Sequence, residues 1–237
     1  MVPGKKRVLT AAGIEAAQAP LIGHHQLTVG LLRANLLSPN ARIVIAGAEP
    51  ARGDVPMFSY TDVAVLAAKH HGGDRAAAVE SLVRNGPNVK YEPNRTYADA
   101  KLIVAWWAAE LARRLPSGMA VYAVSPGSAP DTKAVRNLGW FMKWVMIPLV
   151  KLIPGMSQKP ETAARRYLDA SEFGTDVSGH SLPRRRRSLL AQSRRCVTRT
   201  FTTAPIRKRH GRPSLMSLAL TCLSQASLSA MWLIFKA

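Results

Sequence analysis

Thr96-Tyr97-Ala98-Asp99-Ala100-Lys101-Leu102 opens a segment running to Leu115 whose apolar periodicity and Ala, Leu and Arg content predict a helix. Tyr97 and Lys101 stand four residues apart, so both side chains leave one face of that helix. A free phenol ionises near pH ~10, and an ammonium a few ångströms away stabilises the phenolate and draws its pKa toward neutrality. Such a pair is a usable general acid or base for a hydroxyl or carbonyl oxygen. The same spacing also describes ordinary surface neighbours on many helices, so its surroundings decide the reading.

Downstream, Pro116-Ser117-Gly118 breaks the helix, Met119 to Val124 is an apolar run, and Ser125-Pro126-Gly127 follows. This reads as helix, turn, buried strand and a sharp loop at the strand's carboxyl end. In open α/β sheets that end is where ligands bind.

On these residues the sequence resembles the short-chain dehydrogenase/reductase family. Tyr97 and Lys101 match its Tyr-x-x-x-Lys pair, Glu110-Leu111-Ala112-Arg113-Arg114-Leu115 closes the same helix, and Pro126-Gly127 follows the next strand. Upstream, Gly23-His24-His25-Gln26-Leu27-Thr28 is similar to the family's helix before the central strand, and Ala41-Arg42-Ile43-Val44-Ile45-Ala46 to that strand. Order and setting agree over roughly Leu21 to Phe173.

The resemblance implies an α/β fold, a partial doubly wound (Rossmann-like) parallel sheet with flanking helices that lacks the first βαβ half. It implies an oxidoreductase exchanging hydride between NAD or NADP and a small-molecule alcohol or ketone. Tyr97 would be the proton donor or acceptor and Lys101 the pKa modulator and ribose contact. Pro126, Gly127 and Thr132 would join Lys101 in binding cofactor, Thr132 holding the nicotinamide amide. Family members often pair through the tyrosine helix, so a homodimer is implied as well.

Several family features are absent. The Gly-rich phosphate turn that should open the chain is missing, and Lys5 to Gly13 is at most an echo of a later strand. Pro20 stands where the helix asparagine belongs, and Gly47-Ala48, without a hydroxyl, where the catalytic serine belongs. Losing a preorganised donor of that kind commonly costs ~10²-fold or more in rate. Ser59 is a candidate substitute. The resemblance therefore implies weak cofactor binding and an impaired enzyme.

Leu21 to Leu37 reads as an amphipathic helix ended by Ser38-Pro39-Asn40, and Arg42 to Ala46 as a short buried strand. Glu49 to Arg95 exceeds the family's usual interval and holds two helical pieces, Asp62 to His70 and Asp74 to Asn85, each opened by an acid suited to a helix amino end. It either shapes substrate choice or packs a small satellite core of its own. His24-His25 and His70-His71 point about 100° apart on a helix, and no Cys or carboxylate cluster completes a site, so no metal is expected. Trp106 and Trp107 read as core or subunit contact. Leu138 to Ile153, rich in Trp and aliphatics, reads as an apolar lid over a lipophilic substrate, with membrane-surface contact as the rival. Pro160 to Phe173 reads as one more helix.

Charge divides the chain in two. The 237 residues, 47% hydrophobic, suit one core-forming domain, and the net charge is +19. Residues 1–179 carry 21 basic and 14 acidic residues, whereas 180–237 carry 12 basic and no acidic ones. The first part reads as the α/β segment, the second as an irregular or disordered basic tail. Arg184 to Arg187, Arg194-Arg195 and Arg207-Lys208-Arg209, interleaved with Ser and Thr, read as translation in a shifted frame, with nucleic-acid or anionic-membrane binding as the alternative. Leu215 to Phe235 is 21 uncharged residues, nominally the length of a membrane span. Both cysteines, Cys196 and Cys222, lie in the tail, and their absence from the main segment fits a reducing, cytoplasmic setting. If the tail acts on a polyanion, deleting residues 180–237 abolishes a strong, salt-sensitive affinity for nucleic acid or anionic vesicles; binding that survives the deletion excludes the tail as its source.

Overall fold

The computed structural model describes residues 4–53, 55, 57–84, 86, 88–127 and 159–182. Thr132, the Leu138 to Ile153 segment, the polybasic clusters and Leu215 to Phe235 lie outside them. The elements run α1 (Ala19–Arg33), β1 (Arg42–Ala46), a 3-10 turn (Glu49–Arg52), α2 (Val63–His70), α3 (Arg75–Arg84), α4 (Pro93–Arg114), β2 (Ala120–Val124), α5 (Pro160–Ser171), a second 3-10 turn (Thr175–Val177) and β3 (Ser181–Leu182). This is an α/β fold with a small parallel sheet in the order β1-β2-β3. Arg42 to Ala46 pair in register with Ala120 to Val124, and Ala123 and Val124 with Ser181 and Leu182.

Both faces of the sheet are covered, which is why its strands read as continuous apolar runs. On one face Ile45, Val121 and Ala123 pack with Leu21, Leu102, Ile103 and Trp106, drawing α1 and α4 onto the sheet. On the other, Ala120, Tyr122 and Val124 pack with Ala170, Tyr167 and Phe173, placing α5 there. The Tyr122 hydroxyl reaches the carbonyls of Phe173 (2.8 Å) and Gly174 (2.9 Å), so the ring is buried without stranding its polar end. Val63, Leu66, Ala78, Val79, Leu82 and Val83 of α2 and α3 join the same cluster as Ile45 and Trp107. The long interval before α4 thus completes the main core instead of forming a satellite one.

Local chemistry sets the element ends. Asp62 caps α2 by accepting from the amides of Ala64 and Val65, and Asp74 serves α3 through Ala76 and Ala77. Pro93 starts α4 a turn ahead of Tyr97, where a missing N–H costs nothing. At its other end the buried Glu110 carboxylate accepts from Arg113 Nε (3.0 Å) and Arg114 Nε (2.7 Å). The helix then turns back through Gly118 at φ +93°, where a Cβ would lie 2.8 Å from the Pro39 carbonyl oxygen. Arg42 closes this end of the sheet by donating to the carbonyls of Phe173 (3.0 Å), Asn40 (2.9 Å) and Gly118 (2.7 Å).

Lys5 to Gly13 does not form a sheet strand. Leu9 and Glu15 make an isolated antiparallel bridge, and the Glu15 amide donates to the Val83 carbonyl, 2.9 Å away. α1 spans Ala19–Arg33 and stops short of Leu37, with Asn35 at φ +53° turning the chain. α1 and α4 are joined in the core where Trp107 Nε1 donates to His25 Nδ1 at 3.1 Å, the rings edge-on at 76°. Trp107 is fully buried, so Trp107→Ala is expected to cost about 3–5 kcal/mol, read as a lowered urea midpoint. A loss below about 1 kcal/mol would mean that the α1–α4 seam does not hold the core.

Candidate active site

Tyr97 sits in the second turn of α4, and Lys101 one turn further along the same helix. Ala98, Ala100 and Leu102 are buried, fixing the helix against the sheet and turning Tyr97 and Lys101 toward the carboxyl end of β1. Lys101 Nζ donates to the carbonyl of Ala46, the last residue of β1, at 2.8 Å. The same nitrogen lies 6.0 Å from the centre of the Tyr97 ring. Phe58 covers another side of that ring, with centroids 6.0 Å apart and planes tilted by 59°.

Both side chains line one cleft of about 410 Å³, which also includes Ala46, Glu15, His24 and Tyr91. The structure therefore brings together the two residues that the sequence singled out as catalytic. Pro126 and Gly127 lie at the carboxyl end of β2, three residues or fewer beyond the Ala46–Val124 pair, but are not part of the cleft lining. There the Gly127 amide donates to Ser125 Oγ (3.2 Å) and Arg166 to the Ser125 carbonyl (3.3 Å). Thr132 falls outside the described residues.

The electrostatics depart from the sequence expectation. Burial pushes the Tyr97 phenol above its ordinary value, with Tyr167 adding to the effect, and burial lowers Lys101. Desolvation penalises both charged forms, so it outweighs the mutual stabilisation that helical spacing alone suggested. The resting pair is a protonated phenol beside a lysine whose Nζ is tied to a main-chain carbonyl. Chemically this suits proton donation to an oxygen more than proton removal.

The position expected to carry a hydroxyl has a steric reason for being glycine. The Gly47 amide donates to the Val124 carbonyl at 2.9 Å, and a Cβ there would come within 3.3 Å of the Ala123 backbone. Ser59 is exposed and takes no part in the cleft lining. His25, one of the paired histidines, accepts from Trp107 in the core, and among the described residues no group of His, Cys, Asp and Glu has the makings of a metal site.

Two acids escaped the sequence reading. Glu15 is buried beside the cleft, its carboxyl raised by desolvation while the Ala17 amide (2.7 Å) opposes that rise. Asp99, on α4 two residues past Tyr97, is also buried and accepts from the Thr61 amide (2.6 Å) and Thr61 Oγ (2.8 Å). An acid set between Ala98 and Ala100 on an otherwise apolar helix face was the available signal. The chain matches no protein-family model and no curated protein.

Burial raises the Asp99 pKa from 3.8 to about 6, against the pull of its Thr61 bonds and Arg95. The folded chain then binds a proton more tightly than the unfolded one. Its contribution to stability is complete below pH 3.8 and is lost as the pH rises through about 6. His25, lowered from 6.5 by burial and then by Arg33, acts oppositely, its contribution fading as the pH falls below 6.5. Urea midpoints across this range are expected to lose the Asp99 decline in Asp99→Asn, and an unchanged profile would mean that Asp99 titrates normally.

Proposed function

We propose that this chain carries the proton-handling part of a short-chain dehydrogenase/reductase-type site, for NAD- or NADP-linked reduction of a lipophilic ketone or oxidation of the corresponding alcohol. The observation that carries the reading is the convergence of Tyr97 and Lys101 on one cleft, with Lys101 anchored to the end of β1. Tyr97, a protonated phenol, donates its proton to the carbonyl oxygen, and Lys101 steadies the phenolate left behind. Leu21, Ile45 and Val104 give the ligand apolar contacts. A Rossmann-like origin for the sheet belongs to the same proposal, supported by parallel strands with helices on both faces.

The residues present do not complete a dinucleotide site. Among the described residues β1 is an outer strand of the sheet, and the segment leading to α1 brings the Glu15 carboxylate to the cleft. A pyrophosphate placed there would meet the Glu15 carboxylate, and the amino end of α1 beside it offers no free donor, since Pro20 lacks an N–H and the Ala19 and Leu21 amides already donate to the Glu15 and Gln18 carbonyls. The chain on its own is therefore expected to bind either cofactor weakly.

Fluorescence titration with NADH and NADPH should show weak, unsaturated binding; tight saturable binding by the purified chain would overturn the incomplete-site reading. With excess cofactor and a lipophilic ketone, Tyr97→Phe is expected to lower turnover by about 10²–10⁴-fold. Equal rates in the two forms, or no reduction with either cofactor, would count against the oxidoreductase reading.

A further inference from the structure

We propose that Asp99 is a positioning residue for Tyr97, acting through Thr61 to hold Phe58 against the tyrosine ring. The proposal rests on the reading of Tyr97 as the proton donor and deepens it. Asp99 follows Tyr97 by two residues, which on a helix turns it roughly 200° away from the cleft. Its two oxygens are both engaged by one residue, the amide and hydroxyl of Thr61, at 2.6 and 2.8 Å. Three residues before Thr61 stands Phe58, whose ring covers Tyr97.

The other end of this short segment is held as well. Asn94 Nδ2 donates to the Met57 carbonyl at 3.2 Å. Met57 adopts φ +68°, a left-handed conformation that a methionine enters at a cost and keeps only when its neighbours impose it. α4 thus grips residues 57–61 at two points, Asn94 three residues before Tyr97 and Asp99 two residues after. Between those points lies the phenylalanine that shields the phenol.

A buried carboxylate is a costly way to fasten a loop. Asp99 is only 5% exposed, and the charged group acting on it, Arg95, is itself paired with Glu92 at 3.3 Å. Stability alone would favour an apolar contact here. What two short hydrogen bonds from one residue provide instead is a fixed place for the wall. The ring they hold in place covers part of Tyr97, whose burial raises the phenol above its ordinary value.

The test follows Tyr97 ionisation in the full chain by carbon-13 resonance of the ring carbon bearing the hydroxyl, assigned with Tyr97→Phe. Phe58→Ala is expected to move the midpoint down toward the ordinary tyrosine value, and Asp99→Ala to move it the same way. The double variant should shift no further than Phe58→Ala alone, since both act through one wall. Asp99→Asn, whose Oδ1 still accepts the Thr61 amide, should restore the native midpoint. If Asp99→Ala does not fold, Thr61→Val, which removes only the hydroxyl bond, decides with a smaller shift of the same sign. A midpoint unmoved in Thr61→Val and Asp99→Ala while Phe58→Ala moves it, or additive shifts in the double variant, would overturn the proposal. Because ionisation is read without turnover, ketone reduction that persists with an unmoved midpoint refutes the positioning role and leaves the oxidoreductase reading intact. Absent reduction with the expected midpoints does the reverse.

Discussion

The burial of α4 across the parallel pair β1 and β2 is the constraint on which the remaining structure depends. The helix is 22 residues long and the strands beneath it only five, so its apolar face reaches past the sheet and gathers other elements to cover it. α1 seals one flank through the His25–Trp107 bond, and α2 and α3 contribute to the same core. Once this face is committed to the interior, the positions of Tyr97, Asp99 and Lys101 follow from helical geometry alone. The functional candidates are by-products of a packing decision.

That coupling has an electrostatic consequence. Placing a phenol, an amine and a carboxylate on a heavily buried helix exposes each to the same desolvation, and each shifts toward its neutral form. Only at Asp99 do neighbours oppose the shift, the Thr61 bonds and Arg95 pulling it down without reversing it. The site is therefore governed by how dry it is. Whatever changes the covering of Tyr97 changes its readiness to give up a proton.

Much of the fold was legible because apolar runs and helix caps are local. Arg42 to Ala46 and the Asp62 and Asp74 caps lie where periodicity and capping chemistry place them, and Tyr97 and Lys101 share a cleft because spacing of four fixes their common face. The failures involved information that is not local. Nothing in the sequence around Gly47 announces the Ala123 backbone 3.3 Å away, and the direction of the Tyr97 shift depends on burial by segments distant in sequence. The Asp99–Thr61 contact spans 38 residues, so it was legible only as an acid out of place among alanines. Lys5 to Gly13 shows the converse, a strand-like stretch whose partner is its own return, through Leu9 and Glu15.

The bond from Lys101 to the Ala46 carbonyl has a further meaning for ligand recognition. A free lysine gives up about 2 kcal/mol of rotational freedom when a ligand fixes it. Here that ordering has already been spent within the fold, on a strand-end carbonyl beside the cleft. An ammonium has three hydrogens, and the carbonyl occupies one. An incoming hydroxyl meets a donor whose reach and angle are set in advance, and its affinity is determined by complementarity instead of by the cost of stilling a flexible chain.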